Sequence, residues 1–328
     1  MIPTGPLARQ LTRPTLRTYG FSLMSDASVL RTAANLRPPE LHRVVAGPPD
    51  GPVVLVLHGI TESRRYWLPR ILSLASRYRL VIPDLPGFGL SPKPFVDYTP
   101  EFFTRAIIGL LDREAPAAHP IRIVGHSLGA LLALEVAARH PERVERLALI
   151  SVPRFHDAEE AHRVWFAGSY SYRNLLAANS LAANLTQVRR TGVRLAVRYL
   201  KRLPWSVVSD SRHFTFRSLT STLEHCLLRY RVDDILAAVP RVPILMIHGD
   251  ADQVAPVSRV LELPARPPHP ALHVIRGSGH HPFHTHADLC LKLLETHLDG
   301  PGAAPPDGRT SFVVSAPDPG LAGRPSGA

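Results

Sequence analysis

Cysteine, lysine and methionine are scarce in this chain, and long apolar runs are missing. The two cysteines, Cys226 and Cys290, lie far apart in the sequence. Their spacing fits neither a metal site nor a redox motif, which excludes a disulfide framework and makes a reducing cytosol comfortable. No uninterrupted apolar stretch is long enough to span a membrane. The N-terminus carries Arg9, Arg13 and Arg17 but lacks the apolar centre of a signal peptide, so the expected location is cytoplasmic. No internal repeat occurs. Only three of the 38 basic residues are lysine (Lys93, Lys201, Lys292), against 35 arginines. A formal charge of +11 would suit a nucleic-acid binder. No recognisable nucleic-acid module accompanies it, and the arginine bias goes with abundant alanine and 33 prolines, a composition effect. Surface arginine with no nucleic-acid partner is therefore the expectation.

What is present reads as a globular α/β protein. A chain of 328 residues, 45% hydrophobic and 20% charged, can bury a sizeable core and fits one large domain with an insertion or two modest domains. Residues 1–40 mix Pro, Thr and Arg and read as an arm of uncertain order, with a short helix at 25–36. Strands are expected at 41–46, 53–57, 80–83, 121–124 and 144–150, and helices at 62–77, 100–113 and 128–139. Strict alternation of this kind argues for a parallel sheet with helices on both faces. The alternation stops at Pro153. Only helical patterns follow, at 158–166, 174–185, 187–203 and 218–228, so 153–240 reads as a helical cap inserted into a core formed by 41–152 and 241–299. Strands resume at 243–248 and 272–276, with helices after Pro256 and over 283–297. Residues 300–328 turn to Pro, Gly and Ala and read as a disordered tail.

Chemistry concentrates at Gly125-His126-Ser127-Leu128-Gly129. A serine at the tip of a strained strand-to-helix turn leaves no room for Cβ atoms two residues to either side, which is the mechanical reason for Gly-x-Ser-x-Gly. Such a serine needs a base, and the base needs a carboxylate to hold its tautomer. In a doubly wound sheet these groups come from loops at the carboxyl ends of strands. One such loop offers Asp250 and Asp252, and another offers His280 and His281. His58 and His126 read as structural. A metal site built from His280, His281, His284 and His286 lacks an accompanying carboxylate or cysteine cluster, so no metal is expected.

Five motifs in order resemble the capped α/β-hydrolase family. They are His58-Gly59 with Trp67, Asp84-x-Pro86-Gly87-x-Gly89-x-Ser91, Gly125-x-Ser127-x-Gly129, Gly249-x-x-Asp252-x-x-x-Pro256, and Gly277-x-Gly279-His280-x-Pro282. The chain departs from the family at Thr285, where a glutamate is common. The resemblance implies a doubly wound, mostly parallel sheet with an inserted helical cap. It assigns Ser127 as nucleophile, His280 as base and Asp252 as acid, leaving Asp250 to hydrogen-bond the backbone of its own turn. The backbone amides of Ile60 and Leu128 would form the oxyanion hole, the latter aided by a helix N-terminus.

The expected activity is hydrolysis of an ester or related acyl bond in a small or medium apolar substrate, with no cofactor. The alternatives are carbon–carbon bond hydrolysis on the same triad and a ligand-binding protein without turnover. In the cap, Arg190, Arg194, Arg198 and Lys201 fall on one side of a helical pattern, with Val188, Leu195, Tyr199 and Leu203 on the other. The favoured reading is an amphipathic helix with its arginines in water; approach to an anionic lipid surface is the alternative. Nothing in the sequence specifies an oligomeric state.

Overall fold

Strand periodicity decides which residues meet which face of the sheet. In β2 (Val53–Leu57), Val54 and Val56 enter one apolar cluster while Leu55 and Leu57 enter another. β3 (Arg79–Pro83) behaves alike, with Leu80 and Ile82 on one side and Val81 on the other. Side chains alternate across a strand, so a run that is apolar at every position must be covered on both faces. The computed structural model of the protein describes residues 38–115, 119–165, 210, 213–239, 242–263 and 270–300, with the backbone of 311–313. The expected helices at 25–36, 174–185 and 187–203, most of the arm at 1–40, and the basic stripe from Arg190 to Lys201 lie outside these residues.

β1 (Arg43–Ala46) pairs antiparallel with β3, and every other pairing in the sheet is parallel. β4 (Ile121–His126), β5 (Val144–Ile150), β6 (Ile244–Gly249), β7 (Ala271–Ile275) and β8 (Ser311–Val313) complete the order β1-β3-β2-β4-β5-β6-β7-β8. β2 therefore lies between β3 and β4. The sense of winding reverses there, and a crevice opens outside the carboxyl ends of β2 and β4.

Two helices follow the expected course: α2 (Pro100–Glu114) and α3 (Leu128–Arg139). Thr99 caps α2 by accepting from the Phe102 N–H, with Pro100 supplying a residue that needs no donor at the first turn. The expected helix at 62–77 is broken instead. A 3-10 turn at Arg64–Tyr66, α1 (Leu68–Ile71) and a second 3-10 segment at Leu72–Ser76 replace it. Pro69 lacks the N–H that would continue a helix begun upstream, so a new start is forced. The helix expected after Pro256 is α7 (Val257–Leu261), and the expected helix at 283–297 divides into α8 (Pro282–Thr285) and α9 (Ala287–Asp299), separated by His286 in a non-helical conformation.

Between β5 and β6 the described residues are helical: α4 (Ala158–Arg163), α5 (Phe216–Thr222), a π-helical stretch at Leu223–Leu228, and α6 (Val232–Ala238). A capping box at Thr215 and Ser218 starts α5. The tail expected to be disordered contains β8, which pairs with β7 from His273↔Ser311 to Ile275↔Val313. Ser311-Phe312-Val313 has the aromatic and β-branched residues that suit a strand. No helix among the described residues is long and apolar enough to cross a membrane.

Candidate active site

β4 ends at His126 and α3 begins at Leu128, so Ser127 alone makes the turn. It adopts φ 51° and ψ −113°, a conformation costing about 1–3 kcal/mol for a residue with a Cβ. Close packing of the turn leaves no cheaper route. A Cβ on Gly125 would lie 2.3 Å from the Gly129 carbonyl oxygen, and one on Gly129 would lie 2.3 Å from that of Leu57. The Ser127 N–H is anchored to the Ile150 carbonyl at 2.9 Å.

His280 stands in the loop after β7, with Nε2 3.0 Å from Ser127 Oγ and Nδ1 2.8 Å from Asp252 Oδ2. Asp252 comes from the loop after β6. Its other oxygen, Oδ1, accepts the Val254 and Ala255 N–H groups at 2.9 Å each. Burial alone would raise this carboxyl; the nearby His280 and His248 imidazoles outweigh it and hold the group well below the ordinary range, so it is ionised. An ionised carboxylate only accepts hydrogen bonds, so His280 Nδ1 carries the hydrogen and Nε2 is left to accept from the Ser127 hydroxyl. His248, to which the sequence pattern assigns no role, lies with Nε2 3.3 Å from Asp252 Oδ2 and 2.6 Å from the Ala255 carbonyl.

The turn after β2 closes with the Glu62 N–H on the Gly59 carbonyl, Thr61 taking φ 63°. Ile60 is its first corner residue. Leu128 is the first residue of α3, where a backbone N–H has no partner within the helix and the helix dipole favours negative charge. His58 shapes this region as expected of a structural residue. Its Nδ1 donates to the Gly59 carbonyl at 2.7 Å while Nε2 accepts from the Leu85 N–H at 2.9 Å.

Asp250 does not bond its own turn as expected. It accepts the Gly277 N–H at 2.7 Å and so ties the β6 loop to the β7 loop. His281 points away from this line of groups, its Nδ1 3.6 Å from Glu62 Oε1. The four histidines weighed as metal ligands do not form a group among the described residues. Glu62, His126 and His281 do bring donor atoms within 4.8 Å of one another, but Glu62 and His126 are engaged with each other and with backbone groups.

A family model described as the alpha/beta hydrolase fold matches residues 52–287. The chain belongs to the α/β-hydrolase fold family. It is 28% identical over 302 residues to an uncharacterized protein of Mycobacterium tuberculosis, covering 82% of this chain and 84% of the relative. It is 28% identical over 254 residues to a pimeloyl-[acyl-carrier protein] methyl ester esterase of Chromobacterium violaceum, covering 76% of this chain and 95% of the relative. The enol-lactonase from Burkholderia xenovorans LB400 superposes with a TM-score of 0.59 at 24% identity, covering 79% of this chain and 96% of that one. This last likeness carries the α/β-hydrolase fold alone.

The segment between β5 and β6 reaches the loop of Asp252 directly. Trp165 donates its indole N–H to the Val254 carbonyl at 2.7 Å. A cavity of about 530 Å³ is lined by Arg163 and Val164 of that segment together with Asp252, Gln253 and Pro256. Asp210, from the same segment, pairs with Ser63 and lies 3.2 Å from Arg65, both just past the turn that carries Ile60.

Proposed function

We propose that the chain is a serine hydrolase that cleaves an ester or related acyl bond in a small to medium apolar substrate. The observation that carries the reading is the continuous line from Ser127 Oγ through His280 to the ionised Asp252, at 3.0 and 2.8 Å. Distances of this size lie within reach for proton transfer.

In this reading Ser127 Oγ attacks the carbonyl carbon as its proton passes to His280 Nε2. The tetrahedral oxyanion is held by the amides of Ile60 and Leu128. The imidazolium, its charge balanced by Asp252, protonates the departing alcohol and leaves an acyl-serine. Water, deprotonated by His280, then attacks the acyl carbon and releases the acid and the free hydroxyl. No step calls for a cofactor.

In this reading the segment between β5 and β6 serves as a cap, and its buried Trp165 and Phe214 supply apolar material against the loop of Asp252 and beside Phe88. Kinship with a methyl ester esterase supports ester chemistry. A panel of p-nitrophenyl esters of increasing acyl length tests the reading, with Ser127→Ala as the blank. Turnover on short or medium chains that vanishes in Ser127→Ala is expected; turnover unchanged in that variant would sink it.

A further inference from the structure

The chemistry proposed above leaves a set of buried polar side chains unused. Glu62 is 2% exposed and His126 0%. Glu62 Oε2 accepts the Gly59 N–H at 2.6 Å, and the carboxylate lies 3.2 Å from His126 Nδ1. His126 Nε2 lies 2.8 Å from the backbone carbonyl of His280. A carbonyl can only accept, so Nε2 carries a hydrogen. The contact between Nδ1 and the carboxyl group needs a second proton, which sits on the imidazole, the more basic of the two partners. Glu62 and His126 thus share one proton and together are electrically neutral, which removes the large cost of burying a lone charge.

Neighbours from several elements surround the pair. The Tyr66 ring stacks on His126 with centroids 4.6 Å apart and planes at 15°. His280 and His281 place their rings 5.0 and 5.2 Å from that of His126, and His284 contacts Tyr66 at 4.5 Å. His58 and Asp252 act on the pair through their fields. Burial, and then the His126 and His280 imidazoles, hold His281 well below its ordinary value, so it competes for no proton. Burial opposes ionisation of Glu62, yet His126 brings it to about 2; burial likewise opposes the charge on His126, yet Glu62 raises it above its ordinary value.

We propose that Glu62 and His126 are a positioning pair for the acyl transfer, their hydrogen bonds tying the turn of Ile60, the elbow of Ser127 and the backbone of His280 into one unit. This rests on the hydrolase reading above. The three segments follow β2, β4 and β7, and the pair links all three in addition to the sheet and the His280–Ser127 contact. The pair touches no substrate and acts on the relative placement of nucleophile, base and oxyanion donors, where a displacement of 1 Å costs about 100-fold in rate.

The test combines nitrogen-15 NMR of histidine-labelled full chain with kinetics of Glu62→Gln and His126→Phe. Glutamine keeps the size of Glu62 and phenylalanine keeps the stack on Tyr66. Wild-type His126 is expected to show both ring nitrogens protonated at pH 7, and Glu62→Gln to convert it to a neutral ring. Both variants are expected to lower kcat by about 10- to 100-fold with KM little changed. A neutral His126 in the wild type overturns the proposal, even if both variants fail to fold. So does an unchanged kcat in a folded variant, a loss confined to KM, or a divalent metal bound stoichiometrically and lost in Glu62→Gln. If the wild type neither turns over esters nor reacts at Ser127, the hydrolase reading fails, while the NMR result still decides whether the proton is shared.

Discussion

Asp252 gives one carboxylate oxygen to His280, 2.8 Å away, and keeps the other for the Val254 and Ala255 amides of its own loop. The imidazole is therefore held by a group that is itself held, and neither can turn without breaking a buried hydrogen bond. Two aspartates stand two residues apart in this loop, and the geometry gives them different work. Asp252→Asn is expected to lower kcat by about 10⁴-fold, because an amide can donate to His280 and select the wrong tautomer. Asp250→Asn keeps an oxygen that can accept the Gly277 N–H, touches neither His280 nor Ser127, and is expected to change kcat by less than about threefold. Steady-state kinetics of the two variants checks this, and equal losses would contradict it.

The elbow allows a second test. Gly129→Ala would drive a Cβ to 2.3 Å from the Leu57 carbonyl, forcing β2 and α3 apart. Overpacking against backbone is expected to cost about 1–3 kcal/mol, or folding altogether. Urea melts measure the cost. A variant with wild-type stability and turnover would mean that the elbow relaxes freely, against the packing described here.

Acid should weaken the fold through its buried histidines. His284 and His297 are each held down to about 4, mainly by burial, and each has a buried ring nitrogen without a hydrogen-bond partner. The ordinary histidine value is about 6.5, so between pH 6.5 and 4 the unfolded chain takes up protons that the folded chain refuses. Stability then falls as the pH drops, by up to about 1.4 kcal/mol per pH unit for each group. Glu62 works in the same sense in a lower window. Burial opposes its charge but His126 brings it to about 2, so the stability it contributes is present above the ordinary carboxylate value of about 4 and is lost as the pH falls from there toward 2. Urea midpoints from pH 7 to pH 5 are expected to decline, and His297→Gln to flatten the decline; a constant midpoint would contradict the assignment.

Much of the candidate site was legible because each member follows an apolar strand in a short, glycine-marked loop. Ser127, Asp252 and His280 could be named from that pattern together with the family resemblance, and the fold brings them within hydrogen-bond distance of one another. Glu62 was not legible. A lone acid at the head of a helical pattern reads as an ordinary first-turn residue, whereas its burial depends on His126, 64 positions away. His248 was hidden in a similar way, inside a strand whose periodicity was apolar. The edge strand at Ser311–Val313 lies among prolines and glycines, and only its pairing with β7 gives those three residues a structure. Local pattern fixes elements and loop ends; contacts between distant loops decide which polar groups are buried together.

The most direct measurement of the central claim is mass spectrometry of the full chain after reaction with an active-site fluorophosphonate. The account predicts one adduct, on the peptide containing Ser127, and none in Ser127→Ala of unchanged circular dichroism. An adduct elsewhere, or labelling retained in Ser127→Ala, would contradict it.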